Sequence, residues 1–116
     1  MGSSFKHAFD GIIVAFKEHV NFRLHTAVAA IVLIAAYAFH VTRIEFLILL
    51  FTINMVLIVE MVNTAVEELT NLITVKWSKQ AKTAKDVAAG MALVTAFGAV
   101  IVGLTIFTPY VRSLFS

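Results

Sequence analysis

Between Val87 and Val111 the chain runs for 25 residues without a single Asp, Glu, Lys, Arg or His. No other feature constrains its fold as strongly. About 20 apolar residues in helical form cross the hydrocarbon of a bilayer. Backbone in that medium must satisfy its own hydrogen bonds, which leaves helices or closed barrels. The run is too long for a barrel strand and lacks period-two alternation. Two more stretches follow the same logic. Leu24 to Phe39 carries nothing ionisable after His25, and Ile44 to Val66 is apolar apart from Glu45, Asn54, Glu60 and Asn63. We therefore expect an all-α membrane protein forming one domain over residues 1–116, with transmembrane helices at 24–42, 44–70 and 85–111.

Composition agrees. Charged residues make up 14% of the chain, against about 25% in an ordinary soluble domain. Mean hydropathy is +0.94. A formal charge of +2 excludes a strongly basic nucleic-acid binder, and the lack of cysteine excludes disulfides and thiolate metal sites.

The first twenty residues have neither the continuous apolar core nor the small-residue cleavage site of a signal peptide. Phe5, Ala8, Phe9, Ile12, Ile13 and Phe16 recur at helical spacing, with Lys6, Asp10 and Lys17 elsewhere around the helix. This predicts an amphipathic surface helix over residues 3–20, lying at the membrane interface. The alternative is a helix packed on other protein. The stretch Thr74 to Ala84 reads as a polar connection, with Trp77 at headgroup level. Lys6, Lys17, Arg23, Lys76, Lys79, Lys82 and Lys85 fall on one side of the three spans, and only Arg43 and Arg112 on the other. Positive residues mark the cytoplasmic side, so we expect a multi-pass protein of a cell membrane with its N-terminus inside and its C-terminus outside.

The second span carries the chemistry. At about 100° per residue, Glu60, Asn63, Thr64, Glu67 and Asn71 share a face about 100° wide, with Glu68 at its margin. A polar seam joining subunits would explain Asn63 and Thr64. It does not explain two glutamates with no basic partner in the span, since each ionised group adds a desolvation penalty. Carboxylates hold Mg²⁺, Mg²⁺ holds phosphate oxygens, and lysines offset phosphate charge. A desolvated carboxylate can also take a proton from a hydroxyl. Together these groups suit phosphoryl transfer from a nucleotide to a lipid alcohol. The usual nucleotide signatures are missing: Gly98 and Gly103 have P-loop spacing but are followed by Leu104 and Thr105, and no GxGxxG occurs. From other functional classes, buried glutamates also suit a proton or ion pathway, or a non-catalytic helical assembly. The third span, however, offers a pathway few polar groups below Asp86, Thr95 and Thr105 among them.

The run VEMVNTAVEELTN (Val59 to Asn71), AKTAKDVAAG (Ala81 to Gly90), NFRLH (Asn21 to His25) and FKHAFDGI (Phe5 to Ile12) together resemble the prokaryotic diacylglycerol kinase/undecaprenol kinase family over nearly the whole chain. That resemblance implies a homotrimeric membrane lipid kinase that uses ATP and Mg²⁺, with active sites built between subunits. It implies Glu60 as general base and Asn63 as its hydrogen-bonding companion. Glu67 would hold Mg²⁺ with ATP, and Lys85 and Asp86 would contact the nucleotide, joined by Lys76, Trp77, Ser78 and His7. Lys6, Arg23 and His25, with Glu60, would face the lipid.

The chain departs from the family pattern twice. Where the family carries a second metal-binding glutamate, four residues before Arg23, this chain has His19 with Glu18 beside it, so either could serve the metal. Where the family usually has aspartate, four residues after Glu67, it has Asn71. The Arg23–His25 triplet resembles the undecaprenol kinase branch, making undecaprenol the expected acceptor and diacylglycerol the alternative.

Overall fold

The long uncharged run does form one unbroken helix. In the computed structural model, which describes residues 2–73 and 78–116, four helices follow one another: α1 (Gly2–Glu18), α2 (Val20–Ala38), α3 (Arg43–Ile73) and α4 (Lys79–Ser113). The described residues are helical almost throughout and contain no strand. α2, α3 and α4 are each long and apolar enough to cross a membrane.

Helix ends explain where the elements begin and stop. α4 starts at Lys79, so the second half of the stretch expected to be a connection is helical instead. The reason is local: Ser78 is an N-cap whose hydroxyl accepts from the Ala81 amide at 3.1 Å. α2 ends in a Schellman motif. His40 adopts φ 55°, its amide donates to Tyr37 O at 3.2 Å, and the Val41 amide donates to Ala36 O at 3.2 Å. Two residues later Thr42 and Glu45 form a reciprocal capping box that starts α3. The Glu45 amide donates to Thr42 Oγ1 at 3.1 Å, and the Thr42 amide donates to Glu45 Oε1 at 2.9 Å. Glu45, an apparent flaw in an apolar segment, is thus part of a helix start.

The three long helices run antiparallel in a consistent register. His25 of α2 faces Glu60 of α3, and equal steps in opposite directions bring Ala36 to Leu49. Across the next pair, Lys85 of α4 meets Asn71, Ile106 meets Leu49, and Tyr110 meets Glu45. Ala36, Leu49 and Ile106 form the buried core near the arginine-bearing end, flanked by Val32, Val41, Val102, Phe107 and Tyr110. Phe39 closes that end by tilting against Phe107 and Tyr110, with ring centroids 6.1 and 5.9 Å apart.

Most apolar side chains point away from this small core. Phe51, Val94 and Phe97 are each more than two-thirds exposed on the single chain. In α1 only Ala15 is buried, while Phe5, Phe9, Ile12, Ile13 and Phe16 stay uncovered by the rest of the chain. Four hydroxyls on the spans turn inward to their own helices: Thr26, Thr52, Thr95 and Thr105 each donate to the carbonyl four residues back. That arrangement leaves these groups no need of water in an apolar surrounding.

Candidate functional site

Glu60 is the one charged side chain among the described residues that is buried, with 8% of its surface exposed. It sits in the middle of α3, on the face that packs against α2. His25 Nε2 lies 3.3 Å from its Oε1. A carboxylate kept from water needs such a partner, and the antiparallel register of α2 and α3 supplies it. Asn63 and Thr64, one turn on, are half-buried, and Glu67, Glu68 and Asn71 beyond them are exposed. The polar stripe therefore passes from a desolvated end at Glu60 to a solvated end at Asn71. At about 1.5 Å per residue, Glu60 and Glu67 lie about 10 Å apart along the helix.

At the solvated end α4 joins the site. Lys85 Nζ donates to Asn71 Oδ1 at 2.7 Å. One residue on, Asp86 pairs with Lys82 at 2.5 Å, one turn earlier on the same exposed helix face. Such an exposed pair adds little stability. Lys85 and Asp86, expected together at a nucleotide, do lie side by side, but each is engaged with a different neighbour.

The junction of α1 and α2 approaches the same region. Glu18, His19 and Glu68 each offer a donor atom, all within 4.8 Å of one another. His19 Nε2 is buried and has no hydrogen-bond partner among the described residues. The sequence-based expectation grouped Glu18 and His19 with Glu67, whereas the carboxylate in this group is its neighbour Glu68. Adjacent residues on a helix point about 100° apart, and the wheel had already placed Glu68 at the stripe's edge.

Arg23 holds the corner itself. Its Nη1 donates to Phe16 O at 2.9 Å and to Lys17 O at 2.8 Å, satisfying carbonyls that the end of α1 leaves open. This Arg23 nitrogen, expected to face a lipid headgroup, is committed to the chain's own backbone. Lys6 and His7 are exposed on α1. Lys76 and Trp77 lie outside the described residues, and Ser78 serves as the cap of α4.

Known proteins share this arrangement of sequence. Residues 6–107 match the family model for prokaryotic diacylglycerol kinase. The chain belongs to the prokaryotic diacylglycerol kinase family. It is 39% identical over 112 residues to a diacylglycerol kinase of Synechocystis sp., a match covering 96% of this chain and 64% of that relative. The chain thus spans under two-thirds of the Synechocystis protein's length. It is also 41% identical over 106 residues to an undecaprenol kinase of Bacillus subtilis, covering 91% of this chain and 86% of the relative. The two relatives carry the names of kinases acting on different lipid alcohols, so membership of the diacylglycerol kinase family leaves the acceptor to be argued from this chain's own residues.

Proposed function

We propose that this chain is an ATP- and Mg²⁺-dependent lipid kinase that phosphorylates the hydroxyl of a membrane lipid alcohol, with undecaprenol as acceptor. The observation that carries the reading is the buried carboxylate of Glu60, at the apolar end of a polar stripe whose other end reaches exposed lysine and carboxylate groups. A lipid hydroxyl and a nucleotide differ in solvent, and the stripe joins their two media.

In this mechanism Glu60 takes the acceptor's hydroxyl proton and Asn63 helps orient the hydroxyl. Lys85, held by Asn71 at the stripe's aqueous end, offers its charge to the phosphates. Asp86, Ser78, Lys76, Trp77 and His7 complete the nucleotide side, while Lys6 belongs to the lipid side and His25 lies beside Glu60. The residues at the α1–α2 junction fit a divalent cation: two carboxylates and an unpartnered imidazole nitrogen converge there. Glu18 and Glu68 are the natural oxygen donors for Mg²⁺, with Glu67 and His19 beside them. When bound, the cation neutralises charge developing on the triphosphate oxygens.

The assembly we favour is a homotrimer, in which neighbouring copies and lipid cover the exposed apolar faces of α2 to α4. The lysine-rich end, where the site lies, faces the cytoplasm. Undecaprenol is favoured over diacylglycerol by the Arg23–Leu24–His25 triplet and by the likeness to the Bacillus relative over most of that protein's length.

The test is purified protein in mixed micelles with labelled ATP and Mg²⁺, offered undecaprenol and diacylglycerol in competition. Label in undecaprenyl phosphate is the expected result. Label in phosphatidic acid alone would reassign the acceptor, and label in neither lipid would end the kinase reading.

A further inference from the structure

We propose that His25 is a positioning residue for Glu60, holding one carboxylate oxygen so that the other faces the acceptor hydroxyl. The proposal rests on the reading of Glu60 as the base. It gives His25 a different task from contacting the lipid.

Three observations support it. His25 Nε2 lies 3.3 Å from Glu60 Oε1, and the two residues stand on different helices, so the contact is set by the packing of α2 on α3. The glutamate side chain is 10% exposed and the histidine 31%, so little water screens the contact between them. The nearest cationic side chain along α2, Arg23, is engaged through Nη1 with the Phe16 and Lys17 carbonyls.

The choice of imidazole has a chemical consequence. In its uncharged form an imidazole can donate through Nε2–H without cancelling the carboxylate's charge, as a lysine there would. Oε2 of Glu60 then accepts the hydroxyl proton as the acceptor oxygen bonds to the γ-phosphorus. The bond from that phosphorus to the bridging oxygen breaks, and ADP leaves with its electron pair. His25 keeps its own proton throughout.

The test compares near-isosteric replacements in the full-length protein, with undecaprenol and diacylglycerol each as acceptor. His25→Met fills the space without a donor, whereas the amide of His25→Gln can still donate toward Oε1. His25→Met should lower kcat on the order of ten- to a hundredfold, the usual cost of losing a group that orients a functional side chain. KM for ATP and for the acceptor should stay within about twofold, because ground-state binding is untouched. His25→Gln should recover kcat to within about threefold of wild type. His25→Asn, whose amide stops short of Oε1, should fall with the methionine variant and preserves the comparison if that variant does not assemble. A rise in acceptor KM with intact kcat would overturn the proposal and return His25 to the lipid. So would a glutamine variant as slow as the methionine one. Glu60→Gln separates the two layers. If it is inactive while His25→Met is as fast as wild type, only the positioning role fails. If Glu60→Gln itself keeps activity within a few-fold, the base reading falls and the positioning role falls with it.

Discussion

Lys85 donates to the side-chain oxygen of Asn71 across the α3–α4 interface, at 2.7 Å. The bond orders a flexible ammonium group without neutralising it, because an amide carries no charge. An aspartate at this position would make an ion pair and, on the proposed reading, leave less of that charge for the nucleotide phosphates. Asn71→Leu should free Lys85 and raise KM for ATP several-fold with a smaller change in kcat. Asn71→Asp should keep the link and stay active. Steady-state kinetics over ATP concentration distinguish these outcomes, and an unchanged KM in Asn71→Leu would show that the contact has no part in nucleotide binding.

The cluster at the α1–α2 junction makes a prediction about metal. Glu18→Gln and Glu68→Gln should each raise the Mg²⁺ concentration for half-maximal rate on the order of tenfold. Glu67→Ala should weaken Mg²⁺ and ATP binding together. Titration of activity with Mg²⁺ at fixed ATP is the measurement. A normal requirement in Glu67→Ala, alongside a raised one in Glu68→Gln, would move the metal carboxylate by one residue.

At the opposite end of the helices, Tyr110 donates to Glu45, tying α4 to the capping box of α3. Tyr110→Phe should lower the thermal midpoint in detergent yet leave kcat and both KM values unchanged, since the proposed chemistry lies at the other end of the bundle. A loss of activity in the still-folded variant would show that the two ends are coupled.

His40 occupies the left-handed position that ends α2, with φ 55°. A side chain in that conformation costs about 1 kcal/mol or somewhat more. Glycine has no such penalty, and it is the usual residue at this point of a Schellman motif. His40→Gly should therefore stabilise the protein by about 1 kcal/mol, read as a higher thermal midpoint at unchanged activity. A lower midpoint would mean that the imidazole makes a contact worth more than the backbone strain.

Much of this architecture is legible before any coordinates. Val87–Val111 announces a membrane helix because its period and length admit nothing else, and the wheel through Glu60, Asn63 and Glu67 marks the polar face. The capping box was legible too: Thr42 and Glu45 have its spacing, although in an apolar segment Glu45 looks like an interruption. The pairing of His25 with Glu60 was not, because it depends on the register between two helices and nothing in either helix alone fixes that register. The backbone contacts of Arg23 were hidden for a related reason. The sharp corner after Glu18 leaves carbonyls beside it, and its Nη1 donates to two of them. Glu67 and Glu68 are neighbours in sequence, and only the approach of α1 brings the second of them to Glu18 and His19.

α3 has 31 residues, or about 46 Å of helix, whereas the hydrocarbon layer is about 30 Å thick. Roughly three turns are left over. Were Arg43 to lie at one surface, the surplus would carry Glu67, Glu68 and Asn71 beyond the acyl chains and leave Glu60 near the boundary. On the proposed reading one rigid rod would then span the phase boundary, so that a triphosphate would never need to enter oil and a polyprenol would never need to leave it.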